Sequence, residues 1–167
     1  LRIIVGITCC FWAKSFLENN VYVVLFQEPR FLFKYAGFEW VRMWPGDGIY
    51  WHFVAVMIAG ACVSIGFLTR LSAALLSASI AYVLLVERSI YVNHYYLLAC
   101  IVGLFVFLQS DRNFSVVSAV GISRHQRTFD RWQFWLLRFQ LGIPYFFGAI
   151  AKLNTDWFGG QPSRIIL

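Results

Sequence analysis

Apolar residues in this chain neither alternate nor fall into narrow stripes; they run together. Five runs stand out, at residues 1–17, 49–68, 71–86, 93–108 and 132–153. Each approaches the roughly 20 apolar residues that a helix needs to cross the hydrocarbon core of a bilayer. Backbone polar groups in lipid must be satisfied within the segment, so such runs are helices. The pattern predicts an all-α fold, a polytopic membrane helix bundle of about five spans with interfacial segments between them. The second run contains Gly60, Ala61, Ser64 and Gly66, small residues whose helical spacing lets neighbouring membrane helices approach closely. Thr69-Arg70 reads as a tight connection and Glu87-Arg88 as a short turn. Residues 18–48 interleave charges with aromatics, as in Phe31-Leu32-Phe33-Lys34-Tyr35 and Glu39-Trp40-Val41-Arg42-Met43-Trp44. That is the composition of a segment lying at the interface rather than crossing it. Pro45-Gly46-Asp47-Gly48 breaks the chain before the second run. Residues 109–131 form a polar loop, and the chain after Asn154 is again interfacial, with a break at Gly159-Gly160.

Composition agrees with the pattern. Of 167 residues, 60% are apolar or aromatic and 13% charged, about half the charged share of a soluble domain. The net charge of +6 would suggest nucleic acid in a soluble protein. Here the basic residues lie mostly between apolar runs, where they orient a chain against the lipid bilayer, and no nucleic-acid partner is expected. Five alternating crossings would place Arg2, Arg70, Arg112, Arg124, Arg127 and Arg131 on one face, and Arg30, Lys34, Arg42, Arg88 and Arg164 on the other. The short basic loop around Arg124 assigns the first face to the cytoplasm. Cys9, Cys10, Cys62 and Cys100 all sit within apolar runs, without the spacing of a zinc site or a disulfide framework, and read as small buried hydrophobes. The chain starts with Leu and ends in Arg164-Ile165-Ile166-Leu167, and is expected to be a piece of a longer protein.

A few polar residues inside the runs are candidates for chemistry, because ionisable groups in membrane spans are costly and face a cavity or one another. Asn93 and His94 open the fourth run, and Lys152 closes the fifth on the same non-cytoplasmic face. Lys152 reads alternatively as a snorkelling anchor, as Lys14 does near the end of the first run. Arg138, Tyr145 and Lys152 are spaced by seven and share one helix face with Leu141 and Gly148. Pro144 removes a backbone donor and is expected to kink that helix. An Arg, Tyr and Lys stripe suits the wall of an internal pocket better than lipid. His52 and His125 lack ligand partners at metal spacing, so no metal is expected, and His52 reads as an interfacial side chain. Trp132 and Trp157 read as interface anchors of the fifth run, and Asp156 as a structural cap.

The stretch Tyr145-Phe146-Phe147-Gly148-Ala149-Ile150-Ala151-Lys152-Leu153-Asn154-Thr155-Asp156-Trp157 resembles the signature of the vitamin K-dependent γ-glutamyl carboxylase family, whose bacterial relatives are grouped as HTTM (horizontally transferred transmembrane) domain proteins. Trp135-Leu136-Leu137-Arg138-Phe139-Gln140 and Asn93-His94-Tyr95-Tyr96-Leu97 carry the same resemblance, and the regions of Arg2, Trp44 to Trp51 and Arg70 agree loosely. Gly148-Ala149 reverses the small-residue order associated with the family. The resemblance implies one HTTM-like transmembrane domain over residues 1–167, in a bacterial inner membrane or the endoplasmic reticulum.

It also implies an activity. Lys152 matches the family's active-site base and His94 the histidine that assists vitamin K oxygenation, with Asn93 its neighbour. Arg138 and Tyr145 are expected to line the cofactor pocket. The family couples oxygenation of vitamin K hydroquinone, with O2 and CO2, to γ-carboxylation of glutamate in a protein substrate, and needs no metal. A lysine base has to be neutral, and desolvation among apolar helices is what disfavours its charged form. The same dry pocket suits a naphthoquinone and keeps water from a strong base. The segments by which the family recognises peptide substrate lie beyond this sequence, so a non-carboxylating quinone- or lipid-binding module is the second expectation. A small-solute transporter is disfavoured by the lack of an internal repeat.

Overall fold

Each of the five apolar runs becomes an α-helix in the computed structural model, which describes residues 1–108, 130–154 and Trp157. The helices are α1 (Arg2–Leu17), α2 (Gly48–Ile65), α3 (Thr69–Val86), α4 (Asn93–Leu104) and α5 (Arg131–Ala151), and the described residues contain no strand. The chain divides into two compact units, Leu1–Thr128 and Phe129–Leu167. Among the described residues three helices, α2, α3 and α5, are long and apolar enough to cross a membrane. Against the expectation of about five spans, the described residues support three of them by length and composition. At 16 and 12 residues, α1 and α4 are shorter than the expected crossings. With a rise of about 1.5 Å per residue, neither reaches the roughly 30 Å of a hydrocarbon core.

The reasons are local. α1 stops where Glu18 turns extended, and Asn19 and Asn20 then take the left-handed conformation that asparagine tolerates, at φ 54° and 55°. The fourth run loses its helix early because Phe105 and Val106 bond back three residues, to Val102 and Gly103. The α2–α3 turn also falls earlier than expected. Gly66 adopts φ 77°, its N–H donating to the Cys62 carbonyl at 3.0 Å, and α3 has already begun at Thr69.

In the first unit α1 packs on α2, α2 on α3 and α3 on α4. At its glycines the α1–α2 contact brings backbone against backbone. A Cβ on Gly6 would lie 2.6 Å from the Gly60 carbonyl, and a Cβ on Gly60 would lie 2.9 Å from the Cys10 sulfur. Cys10 Sγ donates to the Met57 carbonyl at 3.3 Å, and Ser64 Oγ donates to the Gly60 carbonyl at 3.0 Å. The small residues thus serve the close approach that their spacing predicted.

Between α1 and α2 the chain makes a 3-10 turn at Glu18–Asn20 and a π-turn at Val23–Gln27, then a non-helical strap over residues 28–47. The strap is fastened to the end of α3. Phe33 N–H donates to Glu87 Oε2 at 2.9 Å, and Arg88 N–H donates to the Phe33 carbonyl at 2.8 Å. Lys34 Nζ donates to the Val86 carbonyl at 2.8 Å. Burial holds the Lys34 ammonium below its ordinary pKa, against the opposing pull of the Glu87 carboxylate. Further along, the Tyr82 hydroxyl accepts from Trp44 N–H and donates to the Arg42 carbonyl, each at 3.0 Å. Phe31, Phe33, Phe38, Trp40 and Trp44 stay exposed along the strap.

The glycine contact and the strap can each be tested by substitution. Gly60→Leu should force α1 off α2 and lower stability by about 2 kcal/mol or more, the usual cost of overpacking. Denaturation of the protein in detergent micelles measures this, and an unshifted midpoint would show that the glycine contact carries no weight. Tyr82→Phe should leave the fold intact but free the strap near Arg42–Trp44, speeding amide exchange there by about fivefold, as loss of a hydrogen bond worth about 1 kcal/mol requires. Hydrogen–deuterium exchange read peptide by peptide provides the comparison.

Candidate functional site

The residues expected to carry chemistry fall on both units. Asn93 and His94 open α4 in the first; Arg138, Tyr145 and Lys152 line α5 in the second. His125 and Asp156, like Arg112, Arg124, Arg127 and Arg164, lie outside the described residues.

The turn that precedes α4 is capped by Glu87. This carboxylate is almost fully buried, at 3% exposure, and caps the 3-10 turn Arg88–Ile90 by accepting from Ser89 N–H at 2.7 Å. Its other oxygen holds Phe33 of the strap. Val92 then runs extended, and its carbonyl accepts from Tyr95 N–H at 2.9 Å to close the first turn of α4. Asn93 and His94 are exposed on that turn.

Behind His94 lies an aromatic wall. The His94 ring meets Tyr95 edge-on, with centroids 4.6 Å apart. Tyr95 in turn meets Trp12 of α1 at 5.5 Å. Trp12 contacts Phe16 and Phe53, which stack on each other at 4.7 Å with ring planes 9° apart. Offset and edge-to-face pairs of this kind each add about 0.5–1.5 kcal/mol beyond area burial. The Trp12 indole N–H is buried without a hydrogen-bond partner among the described residues. His52, expected at the interface, is half-buried against α3, its Nε2 3.2 Å from the Ser79 carbonyl and its ring 4.9 Å from Tyr82.

In the second unit α5 begins at Asp130, whose carbonyl accepts from Gln133 N–H at 3.1 Å. The helix runs unbroken through Pro144. Arg138, Tyr145 and Lys152 are all exposed, Tyr145 at 80%. The Arg138 guanidinium lies over the Phe134 ring at 4.2 Å, one turn back, and 5.7 Å from Trp135. Lys152 is the first residue past the helix, its N–H donating to the Ala149 carbonyl at 3.1 Å.

Asn154 shapes the chain just past Lys152. Its Nδ2 donates to the Ala151 carbonyl at 2.9 Å, satisfying an end-of-helix acceptor, and its Oδ1 accepts from Trp157 N–H at 2.7 Å. This turn brings the Trp157 ring under the Lys152 ammonium, 4.7 Å from Nζ to centroid. Trp157, expected only as an interface anchor, is therefore a direct neighbour of the candidate base. Such a contact attracts a cation through the ring quadrupole. Among the described residues of this unit nothing encloses Lys152, because α5 is its one described helix.

Sequence reasoning missed Glu87, Trp12 and the Asn154 turn. Glu87 carried a usable signal: an acid two residues before a serine, just past an apolar run, is a cap pattern. Trp12 carried none, since a tryptophan in an apolar run reads as packing.

No solved structure matches the chain. The family model of the HTTM domain matches residues 1–167, the whole of the sequence, and with its helices apolar enough to cross a membrane the protein belongs to the HTTM domain family.

Proposed function

We propose that this HTTM domain is a membrane enzyme with vitamin K-dependent carboxylase-like chemistry, in which Lys152 is the base and His94 assists oxygenation. The observation that carries the reading is Lys152 itself. It sits at the end of α5 with its ammonium on Trp157, inside the Tyr145–Trp157 stretch that resembles the carboxylase signature, in a chain that is an HTTM domain throughout. Asn93 supplies an amide and His94 an imidazole backed by Tyr95. Arg138 and Tyr145 supply a guanidinium and a phenol, both exposed for contact.

When bound, vitamin K hydroquinone supplies the reducing chemistry that is coupled to O2 and CO2. The chain's own part is proton transfer and orientation. In this reading Lys152 supplies the amine that accepts the proton. His94 offers one ring nitrogen as donor and the other as acceptor, a pairing suited to a phenolic oxygen. Glutamate in a protein is the proposed substrate, and a non-cytoplasmic position is the proposed one for the site.

The test is epoxide formation by purified protein supplied with reduced vitamin K and oxygen. Lys152→Ala should lower the rate by about 100-fold or more, the usual contribution of a positioned general base. An unchanged rate in that variant rules Lys152 out as the base. Quinol binding without turnover in the unmodified protein points instead to a non-carboxylating quinone-binding module.

A further inference from the structure

We propose that Glu87 is a positioning residue that holds the His94 end of α4 by tying the 28–47 strap to the turn before it. The inference rests on His94 belonging to the site, as the proposed function has it. A buried carboxylate needs a reason, since an unpaired one is among the costliest groups to take out of water. Here both oxygens are used, Oε2 by Phe33 N–H of the strap at 2.9 Å and Oε1 by Ser89 N–H at 2.7 Å. The return bond, Arg88 N–H to the Phe33 carbonyl at 2.8 Å, closes a reciprocal pair between strap and turn. Arg88 then lies over the strap's Tyr35 ring at 5.6 Å.

Every one of these ties lies on the few residues between the end of α3 and Asn93. Ser89 is the middle residue of the turn that leads to Val92, and Val92 caps α4. Among the described residues, His94 has the Tyr95 ring as its aromatic neighbour. Its direction is therefore set by the backbone of that first turn, and the backbone is set by the carboxylate. Glutamine at this position keeps one acceptor but turns an amide N–H toward a backbone N–H, so it can hold one of the two partners and not both.

The experiment compares Glu87→Gln and Glu87→Ala with the unmodified protein by hydrogen–deuterium exchange in lipid nanodiscs, alongside thermal melting and quinol epoxidation. Glu87→Ala should speed exchange about tenfold in the peptides covering residues 30–36 and 88–96, the loss expected for charge-assisted bonds to backbone N–H groups. Glu87→Gln should fall between the two, and the centres of α2 and α3 should stay protected. Phe33→Pro, which removes the strap's donor and leaves Glu87 in place, should loosen the same two peptides. Combining it with Glu87→Gln should add less than the sum of the two. In epoxidation, the Glu87 variants should lower kcat more than they raise KM. Unchanged exchange in residues 88–96, or acceleration spread evenly through α1 and α2, overturns the proposal. If exchange changes as stated but the unmodified protein shows no epoxidation, Glu87 holds α4 and the enzymatic reading fails.

Discussion

The first unit is organised by the backbone contact between Gly6 and Gly60. In water two helices can be held apart by leucine side chains and still gain from burial. In lipid the surrounding tails are as apolar as leucine, so attraction has to come from close packing and polar contacts between helices. Glycine on both helices allows it, and Cys10 adds a donor across the contact. Once α1 lies this close to α2, its Trp12 and Phe16 have nowhere to go but against Phe53, and the stacked pair at 4.7 Å is the result. Tyr95 leans on that wall, and His94 leans on Tyr95. A packing constraint near the start of the chain therefore reaches the candidate site more than eighty residues later.

Polar groups in the molecule are treated according to where they stand. Glu87 is buried and spends both oxygens on backbone N–H groups, while Lys34 gives up part of its hydration to reach the Val86 carbonyl. Arg138 and Lys152 stay exposed but rest their charges on Phe134 and Trp157. The aromatic faces do for these cations part of what water does elsewhere, at a cost in hydration smaller than burial would impose. In α5 a seven-residue spacing thus places polar ends on one side of the helix, with an aromatic partner for each cation.

Much of this could be read in the sequence, and the part that could not has a physical pattern. Runs of apolar residues located all five helices, since burial in lipid leaves no other use for them. Length was the weaker inference. The ends of α1 and α4 depend on Asn19, Asn20 and the tightening at Phe105, which are backbone choices that composition barely marks. The small residues at Gly60 and Ser64 announced close packing, but their partners on α1, Gly6 and Cys10, were invisible without the pairing. Lys152, His94, Arg138 and Tyr145 stood out because polar residues in lipid-length runs are conspicuous. Glu87 did not, because a charge just outside a span looks like ordinary solvation. Its burial arises only when the strap folds back over it, a contact across 54 positions of chain.

That fold-back also decides how the strap should be understood. Its exposed Phe31, Phe33, Phe38, Trp40 and Trp44 have the amphipathic character of an interfacial segment, and composition alone would let it float there. The structure instead fixes it at two separate points, Glu87 with Lys34 at one and Tyr82 at the other. A floating segment would leave the start of α4 free to fray, because the first turn of any helix lacks partners for its own N–H groups. At 12 residues α4 is the shortest of the five described helices and gains least from lipid along its length. Holding the strap at the residues just before Asn93 converts an interfacial loop into a brace for that helix. The aromatic side chains can then meet the membrane boundary while the backbone serves the helix that carries His94.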